Sequence, residues 1–125
     1  MQHLLIVAAG GAIGAGTRHL VNVAALRLVG TSFPWGTLAI NIAGSFLMGI
    51  IVEVLARSAG ASAELRLFIA TGVLGGFTTF SAFSLETALL WERGTHLAAI
   101  AYVTASMAGA IAALFAGLWL ARSLG

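Results

Sequence analysis

The 125-residue chain contains no cysteine and no lysine, a single proline, and only 8% charged residues. Without cysteine, disulfides, thiolate metal sites and cysteine nucleophiles are excluded. Its cations are six arginines scattered along the chain. A nucleic-acid surface, which needs cations clustered on one face, is therefore excluded as well. Ordinary soluble domains are about a quarter charged. A chain this poor in charge and 60% hydrophobic cannot cover its surface with polar groups, and it reads as a membrane protein. His3, His19 and His96 all lie outside the middles of the apolar runs. Ser45 in "GSF" accordingly has no base within a span, and no HExxH-type metal pairing exists.

What is present is apolar sequence in long runs. A membrane-crossing helix needs about 20 apolar residues, and four segments, at about 4–29, 35–55, 65–91 and 97–121, meet that test. The expected fold is all-α, one four-span membrane domain covering 1–125. Pro34 suits the start of the second helix, and Trp35, Trp91 and Trp119 fall near span ends, where indoles sit well at the membrane–water boundary. The N-terminus lacks the basic start and short apolar run of a secretory signal, so the first span is expected to be retained. An even number of spans puts both termini on one side with Arg57, Arg66 and Arg122, against Arg27 and Arg93 on the other. Lys/Arg bias sets orientation, and here it is nearly flat. Insertion in both orientations is one reading of this balance, and a single topology with a weak signal is the other.

The third segment is the informative one. Residues 65–91 as a straight helix would overshoot the hydrocarbon core by roughly 10 Å. Tilt would absorb this, and so would a break at "GGFTT", where Gly and β-branched Thr are weak helix formers. The break is favoured, with freed carbonyls facing something polar. Beyond it, Phe80 and Phe83 share a helix face flanked by Thr79 and Ser81. Aromatic packing in a bundle core is one reading of this stretch. A pathway for a small hydrogen-bonding anion is the other, because ring edges are positive and hydroxyls donate.

Polar groups within spans default to functional hypotheses. Asn41 fits either an interhelical hydrogen bond or a donor to a ligand. Arg18, costly within a helix, is expected to face a water-filled vestibule. Glu53 and Glu86 fit pairing with arginines or proton carriage. The small pairs Gly10/Gly14, Gly72/Gly76, Ser45/Gly49 and Ala113/Gly117 are read as close helix packing.

Together, "GGAIGAGTRH", "GTLAINIAGSFLMG" and "GVLGGFTTFSAFSLE" resemble the Fluc (CrcB) family of fluoride channels, in order and in spacing, over essentially the whole chain. The resemblance implies a dual-topology, antiparallel homodimer in the plasma membrane that exports fluoride passively and relieves its toxicity. It places Asn41, Phe80 and Phe83 on the fluoride path, with Ser81, Thr79, Tyr102 and Ser106 as polar companions and Arg18 at the vestibule. It also implies a structural Na⁺ at the dimer centre, held by backbone carbonyls of Gly75 and Thr78. It implies no enzyme activity, and no other protein partner is evident.

Two positions depart from the family's frequent pattern. Ala82 and Ala110 stand where hydroxyls are common, which thins the hydroxyl track and leaves Thr79, Ser84 or water as substitute donors. A proton-coupled exporter of the small multidrug-resistance type is the rival class, but it needs a central acidic residue in the first span, which this span lacks. A coupled fluoride/proton carrier using Glu86 is the other alternative.

Overall fold

The computed structural model describes residues 1–125, and its regular elements are all helices. Helices α1 (Gln2–Val29) and α2 (Trp35–Arg57) are joined by a short turn. The next stretch is composite: α3 (Ala63–Arg66), a π-helix (Leu67–Leu74), α4 (Gly75–Phe77) and α5 (Phe80–Glu92). Helix α6 (His96–Leu124) closes the chain. Four segments, Gln2–Val29, Trp35–Arg57, Ala63–Glu92 and His96–Leu124, are long and apolar enough to cross a membrane.

The ends of these helices follow local chemistry. Gly30 and Gly94 take φ of 79° and 84°, and glycine adopts this left-handed region without penalty, so the chain turns there. Pro34 stands just before Trp35 as the N-cap of α2, and the Ser62 hydroxyl caps α3 by accepting from Leu65 N–H at 3.1 Å.

Packing follows the small residues. Helix α1 lies on the π-helix and α4, while α2 lies on α6. A Cβ on Gly10 would stand 2.6 Å from the Phe68 carbonyl oxygen and 2.9 Å from Gly72 Cα. On the other pair, a Cβ on Gly49 would meet Leu118 N at 2.9 Å, and Gly117 is equally crowded by the backbone of α2. Small residues let apolar helices approach to backbone contact, where dispersion replaces the hydrophobic drive that lipid removes. Both termini and the 57–66 loop share one end of the bundle. There His3 Nε2 approaches Glu64 at 3.5 Å, and Glu53 pairs with both Arg122 and Arg57, the latter at 3.7 Å.

Only 17 of 125 residues are buried within the chain, and large side chains such as Leu20, Leu97, Phe115 and Trp119 are exposed. Such a surface needs lipid or another apolar partner over it. The small interior gathers Phe83, Leu90, Ala99 and Tyr102 beneath Phe33 and Leu38.

Candidate functional site

Helicity stops after Phe77 and resumes at Phe80. Thr78 (φ −80°, ψ 158°) and Thr79 (φ −151°, ψ 123°) are extended. Asn41 of α2 holds this point. Its Oδ1 accepts Thr79 N–H at 2.9 Å, and its Nδ2 donates to the Thr79 carbonyl at 3.0 Å. The pair of bonds fixes which way the amide faces, since only the oxygen can accept. Thr79 Oγ1 then caps α5 by accepting Ala82 N–H at 3.2 Å. In a continuous helix, Thr79 and Ala82 would direct their amides at the carbonyls of Gly75 and Thr78. Both donors are used elsewhere here, so those two carbonyls leave the helical ladder.

Beside the break runs a groove of about 320 Å³ between α2, α5 and α6. Asn41, Ser45, Thr78, Thr79, Phe80, Phe83, Ser106 and Ala110 all contribute to its wall. The Phe80 and Phe83 rings stand 5.5 Å apart, yet Phe83 is 7% exposed and Phe80 72%. One ring belongs to the interior and the other faces outward across the groove. Ser106 Oγ is buried in this wall and makes no hydrogen bond. A buried hydroxyl without a partner is costly, so the groove offers an unspent donor beside an amide and two aromatic rings. No charged side chain lines it.

Known proteins carry similar sequences. Residues 5–118 match the family model described as CrcB-like protein, Camphor Resistance (CrcB). The chain belongs to the CrcB-like family. It is 66% identical over 124 residues, 99% of each chain, to a protein of Chelativorans sp. (strain BNC1) named fluoride-specific ion channel FluC. Proteins of the same name from Mesorhizobium japonicum and Agrobacterium fabrum are 64% and 56% identical, again over 99% of each chain. With its four long apolar helices, this CrcB-like chain is a multi-pass membrane protein.

The remaining candidate residues of the CrcB-like chain lie in three places. Ser81 is exposed beside the groove, with its hydroxyl 3.4 Å from that of Thr79. Tyr102 lies outside the groove wall: it is fully buried, and its hydroxyl donates to Glu86 Oε1 at 3.0 Å. Thr37, also buried, donates to Glu86 Oε2 at 3.1 Å. Glu86 therefore accepts from two hydroxyls and is paired with no arginine, whereas Glu53 takes two. Arg18 is half-buried on α1, and its Nε donates to the Gly76 carbonyl at 3.2 Å, one residue from the released Gly75.

Several hydroxyls near the break are occupied, Ser84 among them. Thr78, just past α4, donates back to the carbonyl of Leu74 at the end of the π-helix, and Ser84 and Thr87 donate to the carbonyls of Phe80 and Phe83 within α5. Ser84 is thus a poor substitute for the missing hydroxyls, while Thr79 and Ser106 remain at the groove. Two contributors escaped sequence reasoning. Thr37 lies four residues before Asn41 in α2, and that helical spacing was the available signal. Ser45, which the sequence offered as a packing residue without a nearby base, lies four residues after it in the groove wall.

Proposed function

We propose that the chain is a subunit of a plasma-membrane fluoride channel, conducting fluoride passively and so relieving fluoride toxicity, and is not an enzyme. The observation that carries this reading is the uncharged groove where Asn41 and the unpartnered Ser106 hydroxyl meet Phe80 and Phe83. The relatives' name supports the ion. Fluoride accepts hydrogen bonds strongly, and donors in the wall replace the water it sheds. Ring edges add positive potential without a full charge, so an ion can enter without being trapped. Asn41 has a second Nδ2–H beyond the one given to Thr79, which is free for an anion. The Tyr102–Glu86–Thr37 group continues the polar groups beyond Phe83.

The proposal extends to assembly. Thr78 and Thr79 stand near the middle of Ala63–Glu92, which supports a break at mid-membrane. An antiparallel, dual-topology homodimer accounts for the nearly flat arginine balance. It also supplies a cover for the exposed Phe80 ring and the open side of the groove. The same two-fold axis would bring the released carbonyls of Gly75 and Thr78 together twice. Four carbonyl oxygens suit a structural Na⁺, a hard cation that half-helix ends hold in other membrane proteins. No three His, Cys, Asp or Glu side chains gather anywhere in the chain, so such an ion would rest on main-chain oxygens.

The test uses purified protein in liposomes loaded with fluoride or chloride, with efflux followed by an ion electrode. Fluoride release without chloride release, and without a proton gradient, is expected. Equal release of both anions, or fluoride movement only with a proton gradient, would refute passive fluoride conduction. Sodium removal is expected to weaken the dimer without any sodium flux being seen beforehand. Unchanged dimer stability would count against the cation.

A further inference from the structure

Gly10, Gly14 and Arg18 recur at four-residue intervals on α1 and so share one helical face. Neither glycine has room for a side chain. A Cβ on Gly10 would meet Phe68 O at 2.6 Å, and one on Gly14 would meet Phe77 N at 2.7 Å. Backbone contact of this kind fixes α1 in register against the π-helix and α4. Arg18, one turn further on, is delivered to the break, where Nε reaches the Gly76 carbonyl at 3.2 Å. Nε is the one guanidinium nitrogen of Arg18 bonded to the chain.

A helix end releases carbonyls that need partners, and hydrocarbon supplies none. At this end the donor that Gly76 receives is a cation from another helix, placed where the helix dipole is negative. We propose that Arg18 is a positioning residue for the pathway. Through Nε it pins the Gly76 carbonyl, keeps Thr78 and Thr79 extended, and so holds Thr79 in line with Asn41. It also removes Gly76 from the carbonyls released at the break, which include those of Gly75 and Thr78. The flux part of this proposal rests on the channel reading above; the pinning concerns the fold alone.

Charge and donor separate cleanly at this side chain. Gln carries its amide nitrogen on Cδ, where Arg carries Nε, so Arg18→Gln keeps a donor in place and removes the charge. Lys carries a methylene there and its ammonium one atom further out, so Arg18→Lys keeps the charge and moves the donor out of place. Arg18→Ala removes both. Amide exchange over residues 74–82 reports the break directly, and fluoride efflux reports the pathway.

Pinning predicts that Ala raises exchange and lowers efflux by about tenfold or more, the scale of one lost charge-assisted hydrogen bond. Gln should restore both to within about threefold of the unaltered chain, and Lys should restore neither. A Lys variant that fails to fold beside a folded Gln variant carries the same meaning. Rescue by Lys, failure of Gln to rescue, or no effect of Ala would each overturn the proposal. A chain without fluoride efflux in any form, but with the exchange ranking intact, would refute the channel reading and support the pin.

Discussion

Replacing Asn41 with alanine tests the hinge of the whole site. Asn41 holds the break by two hydrogen bonds to main-chain atoms of Thr79, at 2.9 and 3.0 Å. Alanine removes both and strands one N–H and one C=O. Each stranded buried group costs about 1–3 kcal/mol, giving an upper range of about 2–6 kcal/mol. The groove of about 320 Å³ beside them admits water, which lowers the expected cost to about 2–3 kcal/mol. Thr79→Ala is the internal reference. It leaves both main-chain bonds to Asn41 and loses the acceptor for Ala82 N–H together with the long 3.4 Å contact to the exposed Ser81 hydroxyl, about 1 kcal/mol for a lost N-cap. Unfolding of the detergent-solubilised protein by a denaturant series gives the two costs, and liposome efflux gives the functional effect. Asn41→Ala should cost at least twice what Thr79→Ala costs and lower fluoride efflux by about tenfold or more. A cost below about 0.5 kcal/mol, or no greater than that of Thr79→Ala, would show that Asn41 does not hold the break.

The two rings should separate on the same assays. Phe83→Ile loses the contact with Tyr102 at 5.2 Å and should cost about 1–3 kcal/mol, whereas exposed Phe80→Ile should cost about 0.5 kcal/mol or less. Both should cut fluoride efflux, and normal efflux through a folded Phe80→Ile variant would remove Phe80 from the path. Adjacent glycines make a second contrast. Gly10→Ala forces a Cβ to 2.6 Å from Phe68 O, while a Cβ on Gly11 meets nothing within 4 Å. Thermal unfolding should show Gly10→Ala destabilised by about 1–3 kcal/mol and Gly11→Ala unchanged or stabilised by up to about 1 kcal/mol; similar shifts in both would contradict the packing of α1. Reporter fusions at Gly125 should reveal both orientations in one membrane. Two lysines added to the 57–66 loop should impose a single orientation and abolish efflux until an oppositely biased partner is co-expressed.

Much of this arrangement was legible along the chain. The four apolar runs, the turns at "GTSFPW" and "ERGTH", and the glycine pairs declare themselves because they depend on local composition and on spacing within one helix. Residues 65–91 even carried a length mismatch that tilt or a break could absorb, although only three-dimensional coordinates locate the extended residues at Thr78 and Thr79. The π-helix over Leu67–Leu74 left no such mark. It lies where α1 packs closely against it, a contact with a partner distant in sequence.

Side-chain roles were the less legible part, since they depend on partners distant in sequence. Asn41 was open between a structural bond and a ligand donor. The fold gives it two bonds to a backbone 38 residues away and still leaves it at the groove. Glu53 and Glu86 looked alike in sequence, but one meets two arginines and the other meets Thr37 and Tyr102. Hydroxyls told apart only by their neighbours divided likewise: Ser84 turned back on its own helix, and Ser106 was left unpartnered. Sequence by itself determined that the chain would form long apolar helices, because burying a backbone in lipid leaves few alternatives. Tertiary structure alone decided which polar groups stay free, because a hydrogen bond is settled within about 3 Å and that distance is set by how the helices pack.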